Sequence, residues 1–237
     1  MNLPVFFYEL PVLLDGLAPL DEDTSRHVIQ VLRKKMGDQL LITDGRGHLW
    51  RTHIQDDYKK KATVKVDELI LSTPPPRKIT IAISLVKNNS RFEWFLEKAT
   101  EIGVTHIIPL LCERTEKQHF RYERMKAILI SAMLQSQQVW LPELSEPQPY
   151  SQLMAADLYE KKFIAHCDKA PKILPISGGS GNSSSILLIG PEGDFTSLEV
   201  KQALAEGYQA VTLGDTRLRT ETAGIVGATL LKFSGFA

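Results

Sequence analysis

Two stretches near the carboxyl end of the chain combine glycines with charged side chains. The first, 190–194, reads Gly-Pro-Glu-Gly-Asp, and the second, 213–223, holds Gly214, Arg219 and Glu221. Glycines let a backbone approach a ligand closely. An arginine can stabilise an anion that forms during a reaction, and a carboxylate can accept a proton. These two stretches are therefore the first candidates for a functional site.

The flanking patterns place both stretches at the ends of strands. Residues 186–189 form a short apolar run bounded by turn residues, which is typical of a buried parallel strand. The sequence Thr196–Glu199 has the capping-box pattern and predicts a helix that ends before Gly207. A second strand is expected over 208–213, and a closing helix from about Thr220. Ligands of open α/β sheets bind at the carboxyl ends of strands, so both stretches are expected at one binding edge.

The same residues carry a family resemblance. The segments 189–193, 213–214 and 218–223 resemble the bacterial 16S rRNA (uracil-N3) methyltransferases, which belong to the knotted, S-adenosylmethionine-dependent SPOUT superfamily. Either part alone is compatible with an ordinary turn or a capped helix start. Both together, in this order and between these predicted strands, are specific, and the resemblance extends over nearly the whole chain.

The resemblance implies the fold and the partners. It implies an α/β protein whose C-terminal domain, 78–237, is a knotted (trefoil) methyltransferase domain with a mostly parallel sheet. A small PUA-like β-barrel domain that binds RNA, 1–72, would precede it. In such a knot the last strand, loop and helix are threaded through an earlier loop, which would bring both stretches beside the loop after a predicted strand at 163–167. A homodimer and a 16S rRNA or small-subunit substrate are also implied, without a metal.

The implied cofactor is S-adenosylmethionine. Its adenine ring requires apolar walls and main-chain hydrogen bonds, which the two stretches can provide. The candidate cofactor-binding residues are Leu188, Ile189, Gly190, Pro191, Glu192, Gly193, Leu213, Gly214, Leu218, Arg219, Thr220, Thr222 and Ala223.

The implied substrate atom, uracil N3, carries a proton at neutral pH. Its methylation requires removal of that proton or stabilisation of the anion spread over O2 and O4. Arg219 is the candidate for stabilising the anion, and Glu221 and then Glu192 are the candidate carboxylates. A structural alternative for Glu221 is its favourable position in the first turn of a helix.

Five positions depart from the family pattern. Asp194 replaces a glycine, Thr216 replaces an arginine, and Arg217 replaces an aliphatic residue. In a long predicted helix, Leu134 and Gln138 stand where glutamate and arginine are usual. These changes concern the substrate side more than the cofactor pocket.

The composition excludes several classes of protein. The 237 residues contain 28 Lys and Arg against 28 Asp and Glu, whereas a general nucleic-acid coat protein is strongly basic. Cys112 and Cys167 lie in apolar runs and are expected to be buried thiols without metal or disulfide spacing, which suits the cytoplasm. No signal peptide and no membrane span are expected.

Short antiparallel strands are expected over 1–72. A hairpin is predicted from 39–43 to 49–54, because Asp-Gly lies in the turn between them, and 62–69 has the alternation of a half-buried strand. A helix over 25–35, capped at 23–24, is expected to place its apolar side chains on one face. Those side chains are Val28, Val31 and Leu32. The other side of this helix carries basic residues that are either candidates for RNA binding or simply solvated: Arg26, His27, Arg33, Lys34 and Lys35. Arg91 and Arg217, later in the chain, are further RNA-binding candidates.

A proline-rich linker at 73–77 separates the two predicted domains. A βαβ unit is expected next, with strands over 79–86 and 104–112 and a helix over 91–102. Helices over 121–140 and 151–160 and a strand over 163–167 are expected to follow. The glycine-rich segment 178–181 is expected to be a flexible linker, since a strand and not a helix follows it.

Other catalytic motifs are absent from the sequence. It contains no dinucleotide-binding glycine motif after the first α/β strand, no P-loop and no zinc-protease motif. His106, His119 and His166 have no partner at ligand spacing and are expected to be structural. Gly224 and Gly227 in the closing helix suit close packing against a ligand or a second subunit, or packing within the chain.

The sequence therefore predicts a methyltransferase that modifies N3 of a uridine in 16S rRNA. One alternative is a related knotted enzyme that acts elsewhere on RNA, for example at a ribose 2′-hydroxyl. The other is a non-catalytic RNA-binding protein with a decayed pocket, which the five departures favour.

Overall fold

The computed structural model describes residues 3–116, 119–156, 159–167, 172–173 and 184–234. The chain forms two compact units, one of residues 1–74 with 133–141 and the other of 75–132 with 142–237. The glycine-rich segment 178–181 lies outside the described residues. The assignment of 1–72 to RNA binding and of 78–237 to catalysis stays a prediction.

A five-stranded sheet forms the first unit. Its strands are β1 (Val5–Phe7), β2 (Leu17–Pro19), β3 (Gln39–Thr43), β4 (His48–Asp56) and β5 (Thr63–Leu71). They are ordered β1-β3-β4-β5-β2, with β1 parallel to β3 and all other pairs antiparallel. The predicted hairpin is therefore confirmed. Alternate residues of the central strands, among them Leu40, Ile42 and Val64, fill one hydrophobic core.

The predicted helix over 25–35 is wrong at both ends. A short helix, α1, spans Glu22–Arg26, and a π-helical stretch follows over His27–Val31. The cap is Asp21, whose carboxylate accepts a hydrogen bond from the Thr24 N–H at 2.8 Å. An aspartate in this position satisfies one of the free N–H groups of the first turn.

The π-helical stretch changes which side chains are buried. Val28 is fully buried, whereas Val31 and Leu32, predicted on the same face, are exposed. A π-helix has more residues per turn than an α-helix, so the periodicity of 3.6 residues does not apply there. The chain then turns at Arg33, where φ is +54°, and the basic residues 33–35 lie outside any helix.

Residues 133–141 also pack in the first unit. The Gly47 N–H donates to the Val139 oxygen at 2.8 Å, and the Leu141 N–H donates to the Gly45 oxygen at 2.7 Å. The Trp140 ring lies so close to Gly47 that a Cβ there would be 2.1 Å from it. Gly47 also has φ of +86°. Both observations require glycine at this position.

A parallel sheet forms the second unit. Its strands are β6 (Ile79–Ser84), β7 (His106–Leu111), β8 (Glu143–Leu144), β9 (Gln148–Pro149), β10 (Lys161–Ala165), β11 (Ser185–Ile189) and β12 (Gln209–Val211). Their order is β12-β10-β11-β6-β7-β8, and β9 also pairs with β7. All these pairs are parallel. The expected α/β fold with a mostly parallel sheet is confirmed, and the knot stays a prediction.

Five helices connect these strands or close the chain. They are α2 (Asn89–Ile102), α3 (Tyr122–Gln135), α4 (Tyr150–Met154), α5 (Ser197–Ala205) and α6 (Thr220–Phe233). Helix α2 ends at Ile102, as predicted, and is followed by Gly103 with φ of +92°. Helix α5 begins with the predicted capping box of Thr196 and Glu199. Helix α3 ends at Gln135 and not near Trp140. None of the described helices has the length and apolarity needed to cross a membrane.

Helix α6 packs closely on its own chain. A Cβ at Gly224 would lie 2.6 Å from the Phe95 ring of α2, and a Cβ at Gly227 would lie 2.1 Å from the side chain of Leu187 in β11. Of the alternatives for these two glycines, packing within the chain is therefore the one observed. Their presence gives no support to a second subunit.

Candidate functional site

A cavity of about 790 Å³ opens in the second unit at the carboxyl ends of β10, β11 and β12. The residues that line it belong mainly to the three loops that follow these strands. This is the edge at which the sequence pattern predicts ligand binding. The volume falls in the range of pockets that enclose small molecules.

Most of the predicted cofactor-binding residues line this cavity. They are Ile189, Gly190, Pro191, Glu192, Leu213, Gly214, Leu218, Arg219, Thr220 and Ala223. The exceptions are Leu188, which is buried inside β11, Gly193 and Thr222. Cofactor binding by all of these residues, including the three that do not line the cavity, stays a prediction.

The end of β10 and the loop after it contribute residues that were not among the predicted site residues. Ala165, His166, Cys167 and Lys172 line the cavity. Only the family resemblance, which implied that this loop lies beside the other two, gave a signal for them. Hydrophobic patterning gave none, because it identifies strands and not the loops that follow them.

Cys167 is exposed at the cavity, so the expectation of a buried thiol is wrong for it. The apolar run that suggested burial ends two residues earlier, at Ala165. Partial burial raises the pKa of the Cys167 thiol, and the nearby Asp194 carboxylate raises it further. The expectation holds for Cys112, which is buried.

Hydrogen bonds hold the three loops together. The Thr220 hydroxyl donates to the Gly190 oxygen at 3.1 Å, which links the first turn of α6 to the loop after β11. The Cys167 N–H donates to the Asp194 carboxylate at 2.8 Å, which links the loop after β10 to the loop after β11. The cavity wall is therefore cross-connected by its own polar groups.

Asp194, one of the departures from the family pattern, has a defined structural role. Its φ is +64°, in the left-handed region that glycine adopts most easily. Asparagine and aspartate also tolerate this region better than other residues. Besides the bond from Cys167, its carboxylate accepts the Phe195 N–H at 2.8 Å. Aspartate thus adopts a conformation that glycine also adopts easily, and its side chain accepts two hydrogen bonds that glycine could not.

The glycines of the site are required for different reasons. A Cβ at Gly190 would lie 3.0 Å from the Phe195 ring, so close packing within the chain accounts for this glycine. Gly214 has φ of +123° and open space around its Cβ position, so its backbone conformation is what favours glycine. Direct approach of a ligand is not needed to explain either one.

Comparisons with known proteins agree with this geometry. The RNA methyltransferase domain family matches residues 73–232, and the RNA methyltransferase PUA domain matches 20–67. The chain belongs to this RNA methyltransferase family. The ribosomal RNA small subunit methyltransferase E of Synechocystis is 32% identical over 221 residues, which are 90% of this chain and 72% of that protein.

Solved structures show the same fold for this RNA methyltransferase. A crystal structure of a probable rRNA methyltransferase from Porphyromonas gingivalis has a TM-score of 0.89 and 36% identity, with 95% of each chain covered. The ribosomal RNA small subunit methyltransferase E of Neisseria gonorrhoeae, solved bound to S-adenosyl methionine, has a TM-score of 0.85 and 25% identity, with 98% of each chain covered.

Charged side chains of the methyltransferase unit surround the cavity. Arg219 and Glu192, two of the catalytic candidates, line the cavity and are exposed. Arg217 also lines the cavity and is exposed. Glu221, the third, is buried and does not line it. Arg91 also lines the cavity and lies 3.1 Å from the Glu192 carboxylate and 3.7 Å from that of Glu221.

The RNA-binding candidates fall into two groups. Arg91 and Arg217 line the cavity of the second unit. The others, in the first unit, are Arg26, His27, Arg33, Lys34 and Lys35. Arg26 forms ion pairs with acidic residues of its own helix, and the His27 ring contacts Phe6 edge to face at 5.7 Å between centroids.

Proposed function

We propose that the chain transfers a methyl group from S-adenosylmethionine to N3 of a uridine in the 16S rRNA of the small ribosomal subunit. The observation that carries this proposal is the convergence of the loops after β10, β11 and β12 on one cavity in an RNA methyltransferase domain. The names of the relatives, which specify the small ribosomal subunit, support the choice of substrate.

The cavity suits S-adenosylmethionine. Apolar side chains of Ile189, Leu213 and Leu218 supply walls for an adenine ring, and main-chain groups at Gly190 and Gly214 supply hydrogen bonds. When bound, this cofactor supplies a methyl group on a positively charged sulfur, which leaves as a neutral thioether.

Residues of the chain provide the remaining chemistry. Glu192 accepts the proton of uracil N3, and the nitrogen lone pair that is freed then bonds to the methyl carbon. Arg219 stabilises the negative charge on the uracil oxygens, because its positively charged guanidinium lines the cavity in which that anion develops. Both side chains line the cavity in which the base and the methyl donor would meet.

The first unit and the oligomeric state complete the proposal. Arg26, His27 and residues 33–35 would contact phosphates of the RNA, which bind proteins mainly through positive charge. The protein would act in the cytoplasm as a homodimer, as the family resemblance implies.

The test is methyl transfer from labelled S-adenosylmethionine onto small subunits that lack the modification. Digestion and mass spectrometry should place the label on the base of a single uridine, at N3. A label on a ribose 2′-hydroxyl would show a different enzyme of the same superfamily. Absence of transfer, with RNA still bound, would favour a non-catalytic RNA-binding protein.

A further inference from the structure

Arg91 connects three segments of the second unit. It lies in the first turns of α2, and its Nη1 is 3.1 Å from the Glu192 Oε1 in the loop after β11. Its Nε is 3.7 Å from the Glu221 Oε1 in the first turn of α6. The Arg91 guanidinium thus forms an ion pair with each of these two carboxylates. One guanidinium therefore bridges a carboxylate inside the protein and a carboxylate at the cavity.

The two carboxylates differ in their surroundings. The Glu221 side chain is 8% exposed, whereas the Glu192 side chain is 49% exposed. Within the part of the chain that the structure describes, the buried Oε2 of Glu221 has no hydrogen-bond partner. Burial of an incompletely satisfied carboxylate is unfavourable for folding. Such a carboxylate, paired with a residue that lines the cavity, is a candidate for a functional role.

We infer that Glu221 and Arg91 are positioning residues that orient Glu192 for removal of the N3 proton. Glu221 holds the Arg91 guanidinium, and Arg91 holds one oxygen of Glu192, which leaves the other oxygen for the substrate. This inference rests on the proposed function. It assigns Glu221 a role that acts through Arg91, in place of direct contact with the base.

The geometry favours this arrangement over direct roles for either residue. Glu221 is not among the residues that line the cavity, and its side chain is only 8% exposed, so little of it faces a base bound there. The guanidinium of Arg91 already interacts with two carboxylates, which reduces its availability for RNA phosphates. Its planar shape, with donors on different edges, allows it to bind two acceptors at fixed angles. A lysine has one charged nitrogen and cannot reproduce this geometry.

Double-mutant kinetics of the full-length protein test the inference. We expect Glu192→Gln to lower the single-turnover rate by about 10²–10⁴-fold, the usual contribution of a general base. Glu221→Gln should lower it about tenfold in the wild-type background, within the range of couplings in one ion-pair network. In the Glu192→Gln background, Glu221→Gln should change the rate less than twofold. Equal losses in both backgrounds would overturn the inference.

Matched variants separate positioning from stability. Arg91→Lys, which keeps the charge, should lose about as much activity as Glu221→Gln. Glu93→Gln changes another carboxylate of α2, which pairs with Arg124 of α3 at 2.7 Å and does not line the cavity, and it should leave the rate within twofold. The affinity for S-adenosylmethionine, measured by calorimetry, should change little in all three variants. Loss of cofactor binding in Glu221→Gln would instead indicate a structural role.

A spectroscopic measurement is independent of activity. In ¹⁵N spectra of the cofactor-free protein, the Arg91 Nε–H signal, assigned by its absence in Arg91→Lys, should be protected from solvent exchange. Glu221→Gln should remove this protection, whereas Glu93→Gln should not. Persistence of the protected signal in Glu221→Gln would overturn the inference, even if the wild-type protein showed no methyl transfer. Absence of transfer by the wild type, with this protection retained, would contradict the proposed function and leave only the arrangement of the three side chains in place.

Discussion

The hydroxyl of Thr220 donates a hydrogen bond to the main-chain oxygen of Gly190 at 3.1 Å. Both groups are buried, and they lie thirty residues apart in the sequence, Gly190 in the loop after β11 and Thr220 in the first turn of α6. This bond fixes the start of α6 against the end of β11, and the cavity lies between the loops that it joins. The shape of the proposed cofactor pocket therefore depends on one side chain of the segment 218–223.

Replacement of Thr220 by valine should weaken both folding and cofactor binding. Valine has the same shape but cannot donate, so the Gly190 oxygen would be buried without this partner, at a cost of about 1–3 kcal/mol. Urea unfolding and calorimetry with S-adenosylmethionine measure the two effects. Thr229→Val, which removes a hydroxyl bonded to the Ile225 oxygen of the same helix, is the matched control and should have little effect on cofactor affinity. Equal behaviour of the two variants would contradict this prediction.

The stability of variants at Asp194 should depend on how well each residue adopts a positive φ and on how many hydrogen bonds it keeps. Asp194→Ala loses the hydrogen bonds from the Cys167 and Phe195 N–H groups. It also holds alanine at a positive φ, which lowers the free energy of unfolding by about 1–2 kcal/mol more. Asp194→Gly loses the same bonds without the conformational cost, and Asp194→Asn keeps one acceptor oxygen. Urea unfolding should therefore place alanine as the least stable variant, glycine next and asparagine nearest the wild type. If glycine matched the wild type, the two hydrogen bonds would contribute nothing to stability.

Gly224→Ala should destabilise the protein without changing its association. The added methyl group would lie 2.6 Å from the Phe95 ring and 2.9 Å from the Ile83 side chain. Overpacking of this kind costs about 1–3 kcal/mol, partly offset by the better helix propensity of alanine. Thermal unfolding should show a lower Tm, and light scattering should show the same molar mass as the wild type. Dissociation of a dimer in the variant would place this residue at a subunit interface.

Alkylation of Cys167 should depend on pH and on cofactor. The thiolate is the reactive form, and the raised pKa of this thiol lowers the thiolate fraction at a given pH. The rate with iodoacetamide at about pH 8 should therefore be below that of free cysteine, whose pKa is about 8.5, and should increase as the pH rises further. S-adenosylmethionine should slow the reaction because Cys167 lines the cavity. Peptide mapping should show Cys112 unmodified, and a cofactor-independent rate at Cys167 would place the cofactor elsewhere.

Arg219→Ala should affect the chemical step more than cofactor binding. A donor that interacts chiefly with the developing anion lowers the rate of reaction when it is removed, typically by about 10²–10³-fold. Arg219→Lys should restore little, since lysine lacks the planar arrangement of donors. Single-turnover methylation and cofactor affinity distinguish the possibilities. Near-normal turnover would exclude Arg219 from the mechanism, and lost cofactor binding would identify it as a pocket residue.

The features predicted correctly from the sequence are mostly local. The capping box of Thr196 and Glu199, the helix end at Gly103 and the hairpin turn at 44–47 each depend on a few neighbouring residues. The continuous apolar run of β11 identified a buried strand for the same reason. Placement of two loops at one sheet edge followed from the general rule for parallel α/β sheets.

The features that were missed depend on distant partners. The interaction of Arg91 with Glu192 joins residues 101 positions apart, and no periodicity encodes it. The end of α3 at Gln135 was not predicted because the residues after it pack with Gly45 and Gly47. The π-helical stretch after Arg26 was missed because hydrophobic patterning assumes the α-helical period.

The packing of residues 133–141 with 1–74 has a consequence for how the protein is made. During synthesis the first unit cannot complete its contacts until Leu141 has left the ribosome, although its sheet strands end at Leu71. By then β6, α2 and β7 of the second unit have also been translated, so the first unit does not simply finish folding before the second begins. The linker lies between Gly47 and Trp140 in the sequence. A cut there would put these two packed residues on different fragments, and an inserted domain would lengthen the chain between them. Circular permutation or fusion at this linker should therefore reduce the yield of folded protein more than its exposed, proline-rich sequence suggests.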